Sequence, residues 1–183
     1  SDSVFGISSI ASGGQSTAIG NSVTTSGNQS FGAGTSTTVS GATSVGIGNG
    51  ATVSGASSVG IGNGSQATNE NTIAVGTTAN ASNKNATAIG NTATASGIGS
   101  LALGKGANST ANDTVAAGTS SSATGVSSAA IGHGASASAD NSIALGKSAT
   151  VAGAGSVALG WNTAVTAADV ATAAAANVKP YLL

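Results

Sequence analysis

Apolar and polar positions alternate along most of this chain inside a longer repeat. A glycine closes a Ser-x-Ala-x-Gly-like phrase at Gly6, and the same position returns every 14 residues, through Gly20, Gly34 and Gly48 to Gly160, without insertion or deletion. Positions are numbered here by their offset after this marker glycine. The residue before the marker is large and aliphatic in most copies, as in Ile19, Ile47, Leu103 and Leu145. Two residues earlier stands a second apolar column with Val45, Val59, Ile73 and Leu101. Between them, after the first copy, only Ala or Gly occurs, as in Ala18, Gly32, Ala74 and Ala130. Ser or Thr mostly opens the phrase (Ser44, Ser58, Thr72). A period of two predicts a strand.

A second short strand follows at offsets three to five, where Ala51 with Val53, Ala93 with Ala95 and Ala149 with Val151 are small or β-branched. Offset seven is usually Gly or Asn (Gly27, Gly41, Asn69, Gly97). Those residues tolerate positive φ and predict the turn there. Each coil is then strand, turn, strand, turn, with strands of about five residues. A helical period of 3.6 does not fit. Coils stacked at the strand spacing of about 4.8 Å build an all-β parallel β-solenoid, a rod roughly 57 Å long for about twelve coils. The repeat domain spans 1–166. Residues 167–178 are Ala-rich and helix-prone, and Lys179 and Pro180 end that stretch. The segment 167–183 is expected to be a helical cap on the last coil or the start of a stalk.

Two packings satisfy this pattern. In one, the Ala/Gly column and offsets three and five fill a thin lumen, and the Val/Ile/Leu columns point outward. Two apolar ridges along a rod mark an interface, so this packing requires an oligomer. In the other, Val and Ile fill the lumen of a monomer and the Ala/Gly column faces solvent. Nothing in solvent forbids larger residues, so the strictness of that column favours the first.

Composition sharpens this reading. Of 183 residues, 2% are aromatic and 5% charged, with no Cys and no Met. A compact core of large side chains is out of reach. Disorder goes with low hydrophobicity and high net charge. Here the net charge is -1 and the mean hydropathy is positive, so the chain is expected to be ordered. Lys84, Lys105, Lys147 and Lys179 are scattered, which argues against a nucleic-acid partner. No apolar run approaches the length of about 20 residues that spans a membrane, so no membrane contact is expected of this segment. The absence of Cys fits an exported protein.

The phrases Ser100-Leu-Ala-Leu-Gly104, Ser142-Ile-Ala-Leu-Gly146 and Ser156-Val-Ala-Leu-Gly160, with the second half Gly90-Asn-Thr-Ala93-Thr-Ala95-Ser-Gly97, resemble the head repeat of trimeric autotransporter adhesins of the YadA type. The resemblance covers residues 2 to about 166. It implies a left-handed parallel β-roll, a homotrimer, display on a bacterial surface by an outer-membrane anchor outside this sequence, and binding of a host matrix protein such as collagen. In the family, collagen contact goes with NSVAIG-type phrases. The matching positions are Asn141, Ser142, Ile143, Ala144, Leu145 and Gly146, then Asn71 to Gly76. The chain departs from the family after its last coil, where no basic neck follows.

Candidate chemistry is sparse. His133 is the single histidine, and it shares offset one with Asn49, Asn91, Lys105, Lys147 and Trp161, a variable, turn-like column. One histidine without cysteine builds no usual zinc set, so no metal or cofactor is expected. Asp113 and Asp140 lie near the same turn two coils apart, about 10 Å, with no cleft implied between them. Gly46-Ile-Gly48-Asn-Gly-Ala51 matches a dinucleotide fingerprint only formally, because no helix follows it. We therefore expect no enzyme. Glu70 and Lys84 share offset eight in neighbouring coils and should pair.

Offsets two, four and six are expected to share one uncharged face. It runs through Thr24, Thr38, Thr52, Asn80, Thr94, Asn108 and Thr150. A flat hydroxyl lattice of this kind suits ice binding by a secreted protein, which is the alternative function. A passive fibre or phage-tail spacer is a third.

Overall fold

A computed structural model describes residues 1–170. It forms twelve coils whose strands make two parallel sheets of 12 strands each, every strand hydrogen-bonded to its equivalent in the coils before and after. The register follows the repeat without a slip: Ala74 lies between Gly60 and Ala88, and Ala81 between Ala67 and Ala95. Residues i and i+14 are therefore neighbours everywhere along the rod.

The first packing is the one adopted. Ala18, Ala74, Ala88 and Ala102 are fully buried, as are Val39, Ala51, Val53, Ala67 and Ala81 from offsets three and five. The Val/Ile/Leu columns point out of the first sheet, so the monomer packing with Val and Ile in the lumen is excluded. A lumen one side chain thick admits nothing larger than Val on this spacing. The space is shared across it. A Cβ on Gly46 would lie 2.4 Å from Val39 Cγ2, and one on Gly60 would lie 2.6 Å from Val53 Cγ2. Where offset five is Ala, as at Ala67 or Ala81, the residue seven later is Ala rather than Gly.

Hydroxyls at the opening position of the phrase are buried and bind backbone. Ser44 Oγ donates to the Gly55 carbonyl at 2.8 Å and accepts the Ser58 N–H at 3.1 Å. Ser58 repeats this with the Asn69 carbonyl and the Thr72 N–H. This ladder explains why a polar residue tolerates burial there. At its lower end Asp2 occupies the same offset and accepts both the Ser16 N–H and the Ser16 hydroxyl at 2.8 Å. Those bonds, the backbone one first, lower the Asp2 pKa from 3.8.

The turns differ from expectation. Left-handed φ falls not at offset seven but at offsets two and nine, for example Ser22 (56°), Gly64 (63°), Asn71 (57°) and Asp113 (55°). The two positions are seven residues apart, so each coil is two similar halves. The marker glycine is a separate case. Gly104 has φ 131°, and a Cβ on it would lie 2.7 Å from the Gly118 carbonyl group in the next coil. The second-sheet strands have two residues, such as Thr24–Thr25, rather than about five. The first-sheet strands have five residues as far as Val45–Asn49 and three from Val59–Ile61 onward.

After Ala164–Val165 the backbone turns into a helix at 167–170. Thr166 and Asp169 form its capping box: the Thr166 N–H and hydroxyl donate to Asp169 Oδ2 at 2.8 Å, and the Asp169 N–H donates back to Thr166 Oγ1 at 3.3 Å. Val170 packs over Gly153, where a Cβ would lie 2.5 Å from Val170 Cγ2. The rest of the expected cap, 171–183 with Lys179 and Pro180, lies outside the described residues.

Candidate functional site

The surface divides into four long strips, each one residue column wide or slightly more. The outer face of the first sheet carries the two aliphatic ridges. Ile19, Ile47, Ile61, Ile89 and Ile131 are each between 37% and 39% exposed, and Leu103 and Leu145 are 45% and 40% exposed. A folded protein leaves single apolar residues in water without consequence, but not two aligned columns running the length of the molecule.

The outer face of the second sheet is polar. Thr24, Thr38 and Thr52 stand in register, as do Asn80, Thr94 and Asn108. Gln66 sits between Thr52 and Asn80, and Ser122 and Ser136 separate Asn108 from Thr150. The rank is thus continuous in direction but mixed in chemistry. Offset two does not belong to it: Ser22, Ser36, Thr78 and Ser148 hold left-handed φ in the turn. The expected three-column lattice is reduced to a narrow strip, because the second strand is too short to carry three outward positions.

The two turn edges complete the outline. One, at offsets one and two, carries Lys105, His133, Lys147 and Trp161, all exposed. The other, at offsets eight and nine, carries Glu70, Lys84, Asp113 and Asp140. The expected Glu70–Lys84 pair is present at 2.9 Å. Its side chains are half exposed, so it is worth about 0–1 kcal/mol. Asp140 Oδ1 accepts the Val126 N–H at 2.8 Å. Side-chain ladders run along offset nine, with Gln29 on Gln15 at 3.1 Å and Asn71 on Asn85 at 3.2 Å. Ile98 and Val126 stand exposed at offset eight. They were not singled out from the sequence, although reading that column down the repeat shows them.

The phrase Asn141 to Gly146 is split between surroundings. Ser142 and Ala144 are buried in the lumen, while Ile143 and Leu145 stand on the ridges. Asn141 lies in the turn with φ 54°, and Gly146 is the marker glycine with φ 138°. Among the described residues no cavity and no cluster of metal-ligating side chains occurs.

The YadA head domain repeat, as a family model, matches residues 2–22, 54–79, 67–93, 81–107, 95–121, 123–149 and 137–163. Together these segments span well over half of the chain. The chain belongs to this family. It is an adhesin-type head built from repeats. The stretch left unmatched between residues 22 and 54 is where Val23, Thr25, Thr37, Val39 and Val53 stand in the lumen in place of Ala. A crystal structure of the collagen-binding domain of the Yersinia adhesin YadA is similar at 23% identity, over 94% of this chain and 86% of that one. The TM-score is 0.42, too loose a likeness to position residues by. No curated protein matches the sequence.

Proposed function

We propose that the chain is a trimeric head displayed on a bacterial cell surface, which binds an extended host matrix protein such as collagen and performs no catalysis. One observation carries this reading: the lumen is closed with fully buried Ala and Val while one outward aliphatic column stays about two-fifths exposed along most of the rod and a second beside it is partly exposed. Burying them requires other chains, and membership of the YadA head family supports three. With the first sheets facing a common axis, Ile143 and Leu145 belong to the seam. Ligand contact then falls to the second-sheet face and the turn edges, including Asn141. Many weak, equivalent contacts along a repetitive rod suit a repetitive ligand.

Light scattering on a sizing column tests the assembly, and solid-phase binding to collagen, fibronectin and laminin tests the ligand. A mass near three chains with saturable binding to one of these is the expected result. A mass of 16.6 kDa, one chain, would overturn the trimer. Trimers that bind none of the three while showing thermal hysteresis in ice would move the function to the threonine strip.

A further inference from the structure

Most charged residues of the rod stand on its two turn edges. Asp2 is held by Ser16, Asp169 by Thr166, and Glu70 by Lys84. The Glu70–Lys84 pair is the one ion pair among the described residues. Outside any ion pair stand Lys105, His133 and Lys147 on one side, and Asp113 and Asp140 on the other, Asp140 with its Oδ1 already accepting the Val126 N–H. The three basic side chains all occupy offset one. The two acids occupy offsets nine and eight. Offset one follows the first-sheet strand and offset nine precedes it. The two sets therefore lie on opposite edges of that sheet, separated by its three-residue strand and the turn residues that flank it. Within one chain they are out of reach of each other.

They also coincide in height. Lys105 and Asp113 belong to one coil, and His133 and Asp140 to another. Each acid stands half a coil, about 2–3 Å, beyond the basic residue of its own coil. Asp140 thus lies midway in height between His133 and Lys147. Rotation about an axis parallel to the rod leaves height unchanged. Three slabs facing such an axis through their first sheets bring one edge of each against the opposite edge of the next, a head-to-tail contact that closes.

We infer that the basic edge of each protomer docks on the acidic edge of its neighbour, Lys105 against Asp113 and Lys147 with His133 against Asp140, so that these pairs set the register of the seam. The inference rests on the trimeric reading above and adds to it which edges meet. The aliphatic ridges do not select a register by themselves, since every coil offers nearly the same pair. A slip by one coil keeps the apolar contact but moves Lys105 to the height of Ser127 or Gly99, away from Asp113. The charges distinguish the correct stacking from its neighbours, a use of electrostatics for specificity more than affinity. No charged residue lies between Asp2 and Glu70, so the fixing of register belongs to the later coils.

Zero-length carbodiimide cross-linking of the intact protein, followed by peptide mapping, tests this. Glu70–Lys84 provides an internal positive control, since its intrachain pair should link in every sample. The expected result is covalent dimers and trimers on a denaturing gel, with amides joining Lys105 to Asp113 and Lys147 to Asp140. Lys105→Glu should abolish the first of these links, and Lys105→Glu combined with Asp113→Lys should restore it with the roles exchanged. Light scattering at three chains together with the control link, but no link at Asp113 or Asp140, would overturn the docking of these edges and leave the trimer standing. A mass of one chain would overturn both.

Discussion

Coils two to four and coils five to ten keep the same period yet fill it differently. In the earlier set, Val23, Thr25, Thr37, Val39 and Val53 project into the lumen, and Gly32, Gly46 and Gly60 stand opposite. In the later set most lumen positions are Ala, and the rest are Ser or Thr such as Ser65, Thr72, Ser109 and Thr114. A branched residue against glycine occupies about the volume of two alanines, so the two sets of coils fill the lumen to a similar extent. The earlier coils carry no charge on their surface, while the later ones carry Glu70, Lys84, Lys105, Asp113, His133 and Asp140, with Lys147 in the coil after them. Lumen and surface thus vary independently in a solenoid, because each coil contacts only its neighbours. What the lumen conserves is the sum across its width, not the residue at either side.

The sharpest test of that equivalence lies where the two regions should agree. Gly48 and Gly118 have φ 148° and 138°, and a Cβ on them would lie 2.2 Å and 2.5 Å from the carbonyl oxygens of Gly62 and Gly132. Gly48→Ala and Gly118→Ala should each cost about 2–6 kcal/mol, the sum of backbone strain and overpacking. Urea unfolding followed by circular dichroism measures this. A mild effect in one region alone would show that its backbone is held less tightly.

The regions should part company at the lumen. Gly46→Ala drives a methyl into Val39 and should cost about 1–3 kcal/mol. Adding Val39→Ala should recover most of that loss. In the later region Ala74→Gly removes a methyl worth about 0.8 kcal/mol, with a backbone entropy term of similar size. A thermal denaturation series on these variants checks the sum rule, and additivity of the Gly46 and Val39 changes would break it.

Each region also holds one buried hydroxyl without a partner, Thr25 Oγ1 in the earlier and Ser65 Oγ in the later. Thr25→Val keeps the shape and removes the orphaned hydroxyl, so stability should rise by about 1 kcal/mol. An unchanged or lower melting temperature would show that the hydroxyl finds a partner in solution.

The smallest effect belongs to the end of the rod. The Thr166 N–H, then its hydroxyl, lower the Asp169 pKa from 3.8. A carboxylate with a depressed folded-state value stabilises above its unfolded value and loses that contribution as pH falls through the folded one. The capping box should therefore be intact at neutral pH and open only below about pH 3.8. Exchange of the Thr166 amide with solvent, followed between pH 5 and pH 2, reads this directly; protection that is flat across that range would remove the carboxylate from the cap.

Much of this molecule is legible in the sequence because the repeat never slips. A residue and its successor 14 positions later are forced into register, so the Glu70–Lys84 contact, the parallel sheets and the confinement of Ala18, Ala74 and Ala102 to one column follow from counting. The polar strip was legible only in part. Counting places Thr24, Thr38 and Thr52 in a rank, but it does not tell that Ser22 and Ser36 have already turned into left-handed backbone. The reason is that φ in a turn answers to the coil stacked above it. Residue type is a weak guide there: Ser, Thr, Asn, Gln, Asp and Gly all occupy the left-handed positions.

By itself, then, the sequence determined the period, the number of coils, the neighbours of each residue and the smallness of the lumen, since each follows from an unbroken spacing and the volumes of Ala, Gly and Val. Only the tertiary structure decided which side of the first sheet faces inward, where each turn bends, and that Asp113 and Asp140 end on the edge opposite Lys105, His133 and Lys147. Those depend on how two short strands close over a space one side chain thick, and alternation alone is symmetric with respect to inside and outside.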